Sequence, residues 1–323
     1  MTESLRALLA GAIDFAGMFP PAALSLEQAL VKYRQHRSGP EAWIVGRFVC
    51  PGTQLDELAS RFHPEPHSSV TTIIPDGKTA AALKGNLEGV SKLAMRFPDA
   101  GALDTLEFRW VPEPPQSGGS TTLSDFAIDA ARTIVDCQIF PATMFFEPPL
   151  REAHITEQAW QQLMRDCVQK LAAYKGTTCA IHCPAGFKVR CGGAGRSAIP
   201  SSADIAPVIC ACRDARVFWK ATAGLHHPFR HIEPELGVHV HGFINLLTAA
   251  VMADVHRLEP AQVQAILEDD DPWHFHFTNE ALTWHDLSVT VPQIAGGRDR
   301  ALRSFGSCSI DEPWQDLTVL GLI

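Results

Sequence analysis

A chain of 323 residues, 46% apolar and 20% charged, is long enough to bury a substantial core, as one large domain or two ordinary ones. Its formal net charge of −9 argues against nucleic acid or an anionic membrane surface as a partner, but leaves room for a small anionic substrate in a locally basic cleft. The start, Met1 to Gly11, lacks the basic flank and long apolar core of an export signal, and no run is long enough to cross a bilayer. The nine scattered cysteines include no Cys-x-x-Cys pair, so reduced thiols and a cytoplasmic location are expected.

Short β-branched or aromatic runs alternate along the chain with stretches of helical apolar spacing. Strands are predicted at 12–16, 43–50, 69–75, 103–111, 139–147, 187–190, 217–221 and 303–307. Helices at 24–36, 54–62, 79–97, 124–136, 156–174 and 202–213 lie between most of them, with Ser25, Ser124 and Thr156 as caps. Segment 178–183 also reads as strand, which blurs the start of the sixth. A Pro-, Gly- and Ser-rich loop spans 112–120. Alternation of this kind implies parallel strands with crossover helices, and eight strands fit a (β/α)8 TIM barrel. An open doubly wound sheet fits less well, because no Gly-x-Gly-x-x-Gly turn follows the first strand.

The seventh and eighth strands are far apart. The insertion 225–300 holds a histidine-rich loop at 225–241, a helix at 243–255, a short helix at 261–267, and a hairpin. In that hairpin 275–277 and 282–284 flank a turn at Asn279-Glu280. An insertion on a βα loop lies at the mouth where barrel active sites are built, so it reads as a lid or substrate wall within a single domain, 1–323. Trp314, Leu317 and Leu320 predict a closing amphipathic helix.

Lys188 and Lys220 each stand at the end of an apolar strand that runs into a glycine-rich turn. A buried amine there is costly unless paired or used, and two on adjacent strands are expected to lower each other's proton affinity. Strand alternation puts Lys188 with Arg190, and Glu107 with Arg109, on one side, facing the barrel axis if Phe187 and Val189 face the helices. Asp14, Arg47, Glu147, Ser304 and Ser307 complete the polar residues expected near carboxyl ends of strands. Glu107 could equally belong to a structural ion-pair layer, and Asp14 could be a cap or pair. The turn Gly192-Gly193-Ala194-Gly195-Arg196 lacks the ending of a nucleotide loop.

Three segments, Lys188-Val-Arg-Cys-Gly-Gly, Lys220-Ala-Thr-Ala-Gly and Phe305-Gly-Ser-Cys-Ser, resemble the turns after strands six, seven and eight of deoxyribose-phosphate aldolases, which are class I (Schiff-base) barrel aldolases. The resemblance implies Lys188 as the imine-forming nucleophile and Lys220 as the group that perturbs it. It implies backbone anion binding at Gly224, Gly306 and Ser307, and a proton shuttle at Glu107 or, second, Asp104. It implies no cofactor and no metal. Val189 and Arg190 replace the family's small hydroxyl residues, and Leu225 replaces its second glycine. Arg190, close to the nucleophile, suits a substrate carboxylate or phosphate.

The rival signal is histidine. His226, His227, His231, His239 and His241 cluster, and His-Val-His has ligand spacing on an extended segment, so a metal-dependent barrel hydrolase or lyase is the alternative. His226, His227 or His241 is otherwise expected to line the pocket, with Asn245 sharing the face of His241 if both lie on one helix. A further alternative is a non-catalytic barrel that binds an anionic metabolite. The favoured expectation is a Schiff-base lyase acting on a small oxygenated carbonyl substrate.

Overall fold

In the computed structural model, seven strands come first: β1 (Ile13–Phe15), β2 (Val45–Pro51), β3 (Val70–Ile74), β4 (Leu103–Arg109), β5 (Thr143–Glu147), β6 (Ala185–Arg190) and β7 (Trp219–Thr222). An insertion carries β8 (His231–Glu233), β9 (Val238–Val240), β10 (Phe275–Phe277), β11 (Ala281–Trp284) and β12 (Leu287–Thr290), and β13 (Leu302–Ser307) follows it. Strands β1 to β7 and β13 close into a parallel barrel in the order β1-β13-β7-β6-β5-β4-β3-β2. This is the (β/α)8 barrel expected from the alternation of elements. The structure describes residues 1–61, 69–74, 84–85, 87–88, 90–92, 103–110, 122–139, 143–151, 155–193 and 195–323. The predicted helix 79–97 falls largely outside the described residues, and the loop 112–120 and Ala194 wholly so; the strand predictions reach outside them at 75, 111 and 140–142.

The helices bounded within the described residues are α1 (Glu3–Leu9), α2 (Leu26–Ser38), α3 (Leu55–Arg61), α4 (Leu123–Asp136), α5 (Glu157–Lys175), α6 (Cys179–His182), α7 (Ser202–Ala215), α8 (Phe243–His256), α9 (Pro260–Glu268), α10 (Val291–Arg300) and α11 (Asp311–Val319). Ser25 opens α2 through a reciprocal capping box with Gln28, and Thr156 caps α5. For α4 the cap is Thr122 rather than the expected Ser124. Thr122 directly precedes the buried Leu123 and exchanges hydrogen bonds with Asp125, so the helix starts two residues earlier. Segment 178–183 is not a strand: it holds the single turn of α6. Ile181 there is 77% exposed, while Cys183 is buried, and β6 begins at Ala185.

Alternation along the strands sorts side chains between helical shell and barrel axis. Phe108 and Phe146 stack at 5.3 Å and meet Phe126 of α4, and Phe305 stacks on Phe243 of α8 at 5.2 Å. Residues of the other parity, Glu107, Phe145, Lys188, Lys220 and Ser304, converge inside. An apolar floor lies beneath the amines. Phe218 fills the room left by Gly186, where a Cβ would lie 2.4 Å from its ring, and Phe145 packs on Phe218 at 5.5 Å. Arg303 stacks over the same Phe218 ring at 3.6 Å. Buried Arg298 of α10 donates to the carbonyls of Leu8, Leu302 and Arg303, tying α1 and α10 to the start of β13.

The expected hairpin is present, with Phe277 opposite Leu282 and His276 opposite Thr283. β12 extends it to a three-stranded antiparallel sheet, and β8 and β9 form a separate ribbon. No described helix is long and apolar enough to cross a membrane. All nine cysteines are free.

Candidate functional site

Inside the barrel, carboxylates and cations alternate in one chain that climbs from the middle of the sheet to its carboxyl ends. The Lys220 Nζ lies 2.6 Å from Asp14 Oδ2 and 2.6 Å from Glu107 Oε1. The Lys188 Nζ takes the other oxygen, Glu107 Oε2, at 2.6 Å, and Glu147 Oε2 at 2.8 Å. Glu147 Oε1 then meets Arg190 Nη1 at 3.3 Å. Side-chain exposure rises along this path, from 2% at Lys220 through 5% at Lys188 and 9% at Glu147 to 29% at Arg190. Glu147 and Arg190 are the last residues of β5 and β6, so the chain opens at the mouth.

Asp14 is held from three sides. Ser304 Oγ donates to its Oδ2 at 2.7 Å, the Arg47 backbone N–H donates to its Oδ1 at 2.8 Å, and Lys220 completes the set. The neighbouring Gly46 makes this possible: a Cβ there would stand 2.6 Å from Asp14 Oδ1 and 2.8 Å from the Gly11 carbonyl. Gly46 was not singled out in the sequence, although a lone glycine inside an apolar strand is the signal of such a close approach. Phe145, also unmarked, carries Lys220 over its ring at 5.3 Å.

The electrostatics correct one expectation. The two lysines are expected from the sequence to lower each other's proton affinity, but the carboxylates between them decide otherwise. Burial alone lowers the proton affinity of Lys188, yet Glu107 and Glu147 more than offset this and raise it above the ordinary lysine range. Burial likewise pushes Glu107 up, while Lys188 and Lys220 outweigh it and bring its carboxyl down to about 2. Glu147 is lowered for the same reason, by Lys188 and then Arg190 acting against burial. Lys188 therefore rests as an ammonium, between Glu107 and Glu147 as carboxylates.

The other candidates divide. Arg47 pairs with Asp104 in bidentate fashion at 2.7 and 2.8 Å, near the amino-terminal end of β4, and its Nη1 also lies 3.9 Å from Asp14 Oδ1. Asp104 therefore reaches the network only through Arg47, whereas Glu107 touches both amines. Arg109 is exposed at the end of β4. Gly224 has φ +71°, and the turn it ends packs backbone to backbone on the turn after β6, where a Cβ on Gly192 would lie 2.7 Å from Gly224 Cα. Gly306 of β13 registers with both Asp14 and Thr222. Ser307 Oγ donates to the Ser309 carbonyl at 2.7 Å.

The histidines of 226–241 do not gather into a ligand set. His226 Nδ1 pairs with Glu312 at 2.9 Å and touches the Cys308 sulfur; Cys308, then Glu312, raise its pKa to about 9 against burial. His227 Nδ1 pairs with Asp316 at 2.6 Å, and its ring packs against His231. His239 sits exposed on β9. His241 is buried with Nε2 on the Pro200 carbonyl at 2.8 Å, and burial holds its pKa down, so it is neutral. Because His241 precedes α8, it does not share a helical face with Asn245. Asn245 is buried, accepting from Arg230 N–H and donating to the carbonyls of Ile266 and Asp269.

These features define a (β/α)8 barrel with a buried, charge-alternating centre that opens at the carboxyl ends of its strands, a fold that hosts many enzyme chemistries. No protein-family model and no curated protein matches the chain.

Proposed function

We propose that the protein is a lysine-dependent lyase of the aldolase type, acting on a small oxygenated carbonyl compound that carries an anionic group. One observation supports this above all: two buried lysines share a single carboxylate, Glu107, each through one of its oxygens at 2.6 Å. Lys188 is the nucleophile in this reading, because it is the lysine nearer the open end of the charged chain.

In the resting state Lys188 is an ammonium, so its activation requires a short proton transfer. Glu107 takes the proton, and the free amine adds to the substrate carbonyl carbon. Return of that proton to the carbinolamine oxygen releases water and leaves an iminium, which draws electrons from the bond between the α and β carbons. The β-hydroxyl gives up its proton as it becomes the departing carbonyl, and protonation of the enamine followed by hydrolysis frees Lys188. Lys220, held by Asp14, stays against the other oxygen of Glu107. Arg190 suits the substrate's anionic group: its Nε is buried with no hydrogen-bond partner among the described residues.

Borohydride trapping tests this. The purified chain is treated with a panel of small aldehydes, ketones and α-keto acids, with and without phosphate, and digested for peptide mass mapping. A reduced adduct on Lys188 with at least one compound is expected. No adduct across the panel, or adducts only on exposed amines such as Lys32 and Lys92, overturns the reading.

A further inference from the structure

Away from the barrel centre, the insertion brings two histidines onto one carboxylate. Asp269 ends α9, His274 closes a single 3-10 turn (Pro272–His274), and His285 begins the two-residue turn between β11 and β12. His274 Nδ1 lies 3.0 and 2.9 Å from the two oxygens of Asp269, and His285 Nε2 lies 3.4 Å from Oδ2. The two imidazole rings stand 4.4 Å apart, and one ligand atom from each residue falls within 4.8 Å of the others. We propose that Asp269, His274 and His285 form a binding site for a divalent transition-metal ion of the zinc type, which clamps the insertion sheet to the end of α9.

The distances suit such an ion. Bonds of about 2.0–2.1 Å in tetrahedral geometry separate neighbouring ligand atoms by roughly 3.3 Å. The two nitrogen–carboxylate separations, 2.9 and 3.4 Å, straddle that value. Two imidazole nitrogens and one carboxylate oxygen select a borderline cation over Mg²⁺ or Ca²⁺, which prefer oxygen alone.

The surroundings hold the ligands in position. Trp284 Nε1 donates to Asp269 Oδ2 at 2.8 Å and the Asp271 backbone N–H donates to Oδ1 at 3.0 Å, while the Asp271 carboxylate lies 3.6 Å from His274 Nε2. Metal-bound carboxylates and imidazoles are oriented by outer partners of this kind. His285 has φ +46°, in a hairpin turn where glycine or asparagine is the usual residue, so this backbone accepts a strained histidine that faces Asp269. The histidine side chains are 42% and 49% exposed, leaving a side open for water as a fourth ligand.

The site also connects to the barrel mouth. The Asp269 carbonyl accepts from Asn245 Nδ2, and Asn245 Oδ1 accepts the Arg230 N–H of the loop after β7. An ion here therefore stiffens the base of that loop, whatever reaction the barrel performs.

The test uses full-length protein without an affinity tag, treated with chelator and titrated with Zn²⁺ at pH 7.5 by calorimetry and thermal melting. One ion per chain is expected, with a raised melting temperature and no such response to Mg²⁺ or Ca²⁺. His274→Ala and His285→Gly, the latter keeping the positive φ accessible, should each weaken binding by more than about 100-fold, and Trp284→Phe by roughly 10-fold. Melting without metal checks that each variant is folded. No saturable one-to-one binding to the wild-type chain overturns the proposal, and so does Zn²⁺ binding that both histidine variants leave unchanged.

Discussion

Lys188 and Lys220 hold the same carboxylate: their Nζ atoms stand 2.6 Å from Oε2 and Oε1 of Glu107. They are cross-strand neighbours in register, so both side chains project to the axis at one level. Each amine also has a second carboxylate, Glu147 for Lys188 and Asp14 for Lys220, which makes the pair a link in a chain of alternating charge.

Breaking that chain at one point should be expensive. Lys220→Met leaves Asp14 and Glu107 buried, close together and without their shared cation, and is expected to cost about 3–5 kcal/mol. Adding Asp14→Asn should restore part of the loss, because it removes one of the two uncompensated charges. Urea unfolding of the single and double variants measures both values.

Glu107 should matter to chemistry as well as to folding. Glu107→Gln removes the group that takes the Lys188 proton, and the rate of borohydride-trapped adduct formation is expected to fall by roughly 10²–10⁴-fold. The Asp104→Asn rate should stay near wild type, since Asp104 pairs with Arg47 instead. Equal losses in both variants would mean that the effect is structural.

Acid should weaken the fold in a defined window. The folded pKa of Glu107, about 2, lies below the unfolded value of about 4.3, so the stabilisation is complete above the unfolded value. It is lost as pH falls from there towards 2, at up to about 1.4 kcal/mol per pH unit for this carboxylate. Glu147 is lowered too and adds to the slope in the same direction. Urea midpoints at several pH values between 7 and 3 give this slope, which should be shallower in Glu107→Gln.

Gly46→Ala should be out of proportion to its size. The new methyl would stand 2.6 Å from Asp14 Oδ1 and 2.8 Å from the Gly11 carbonyl, and backbone cannot yield as a side chain can. A destabilisation of about 1–3 kcal/mol is expected from overpacking, read as a lower melting temperature.

Much of the architecture was legible in the chain because it is written in local patterns. Short β-branched or aromatic runs such as 143–147 mark strands, and α2 and α5 open on caps that hydrogen-bond their own helix ends. Where local signals were short, reading failed. The three-residue strands β8 and β9 hold too few positions for a pattern, and Thr122 competed with Ser124 as a cap two residues away. The insertion's hairpin was visible, since aromatic and β-branched runs flank its turn, but its third strand was not.

The sequence by itself determined a parallel barrel in which Lys188 shares a side of its strand with Arg190, and Glu107 with Arg109, because parity along a strand decides which side each residue takes. Tertiary structure decided who meets whom. Glu107 is far from both lysines in sequence, and only barrel closure puts its two oxygens between their amines. That contact reverses the expected effect on Lys188: proton affinity depends on the nearest charges in space, and the nearest are carboxylates, not the other cations. The same physics scattered the histidines of 226–241 among separate partners and assembled Asp269, His274 and His285 from a helix end and two turns. Spacing along the chain reports which residues share a face; distances across it are a property of the fold.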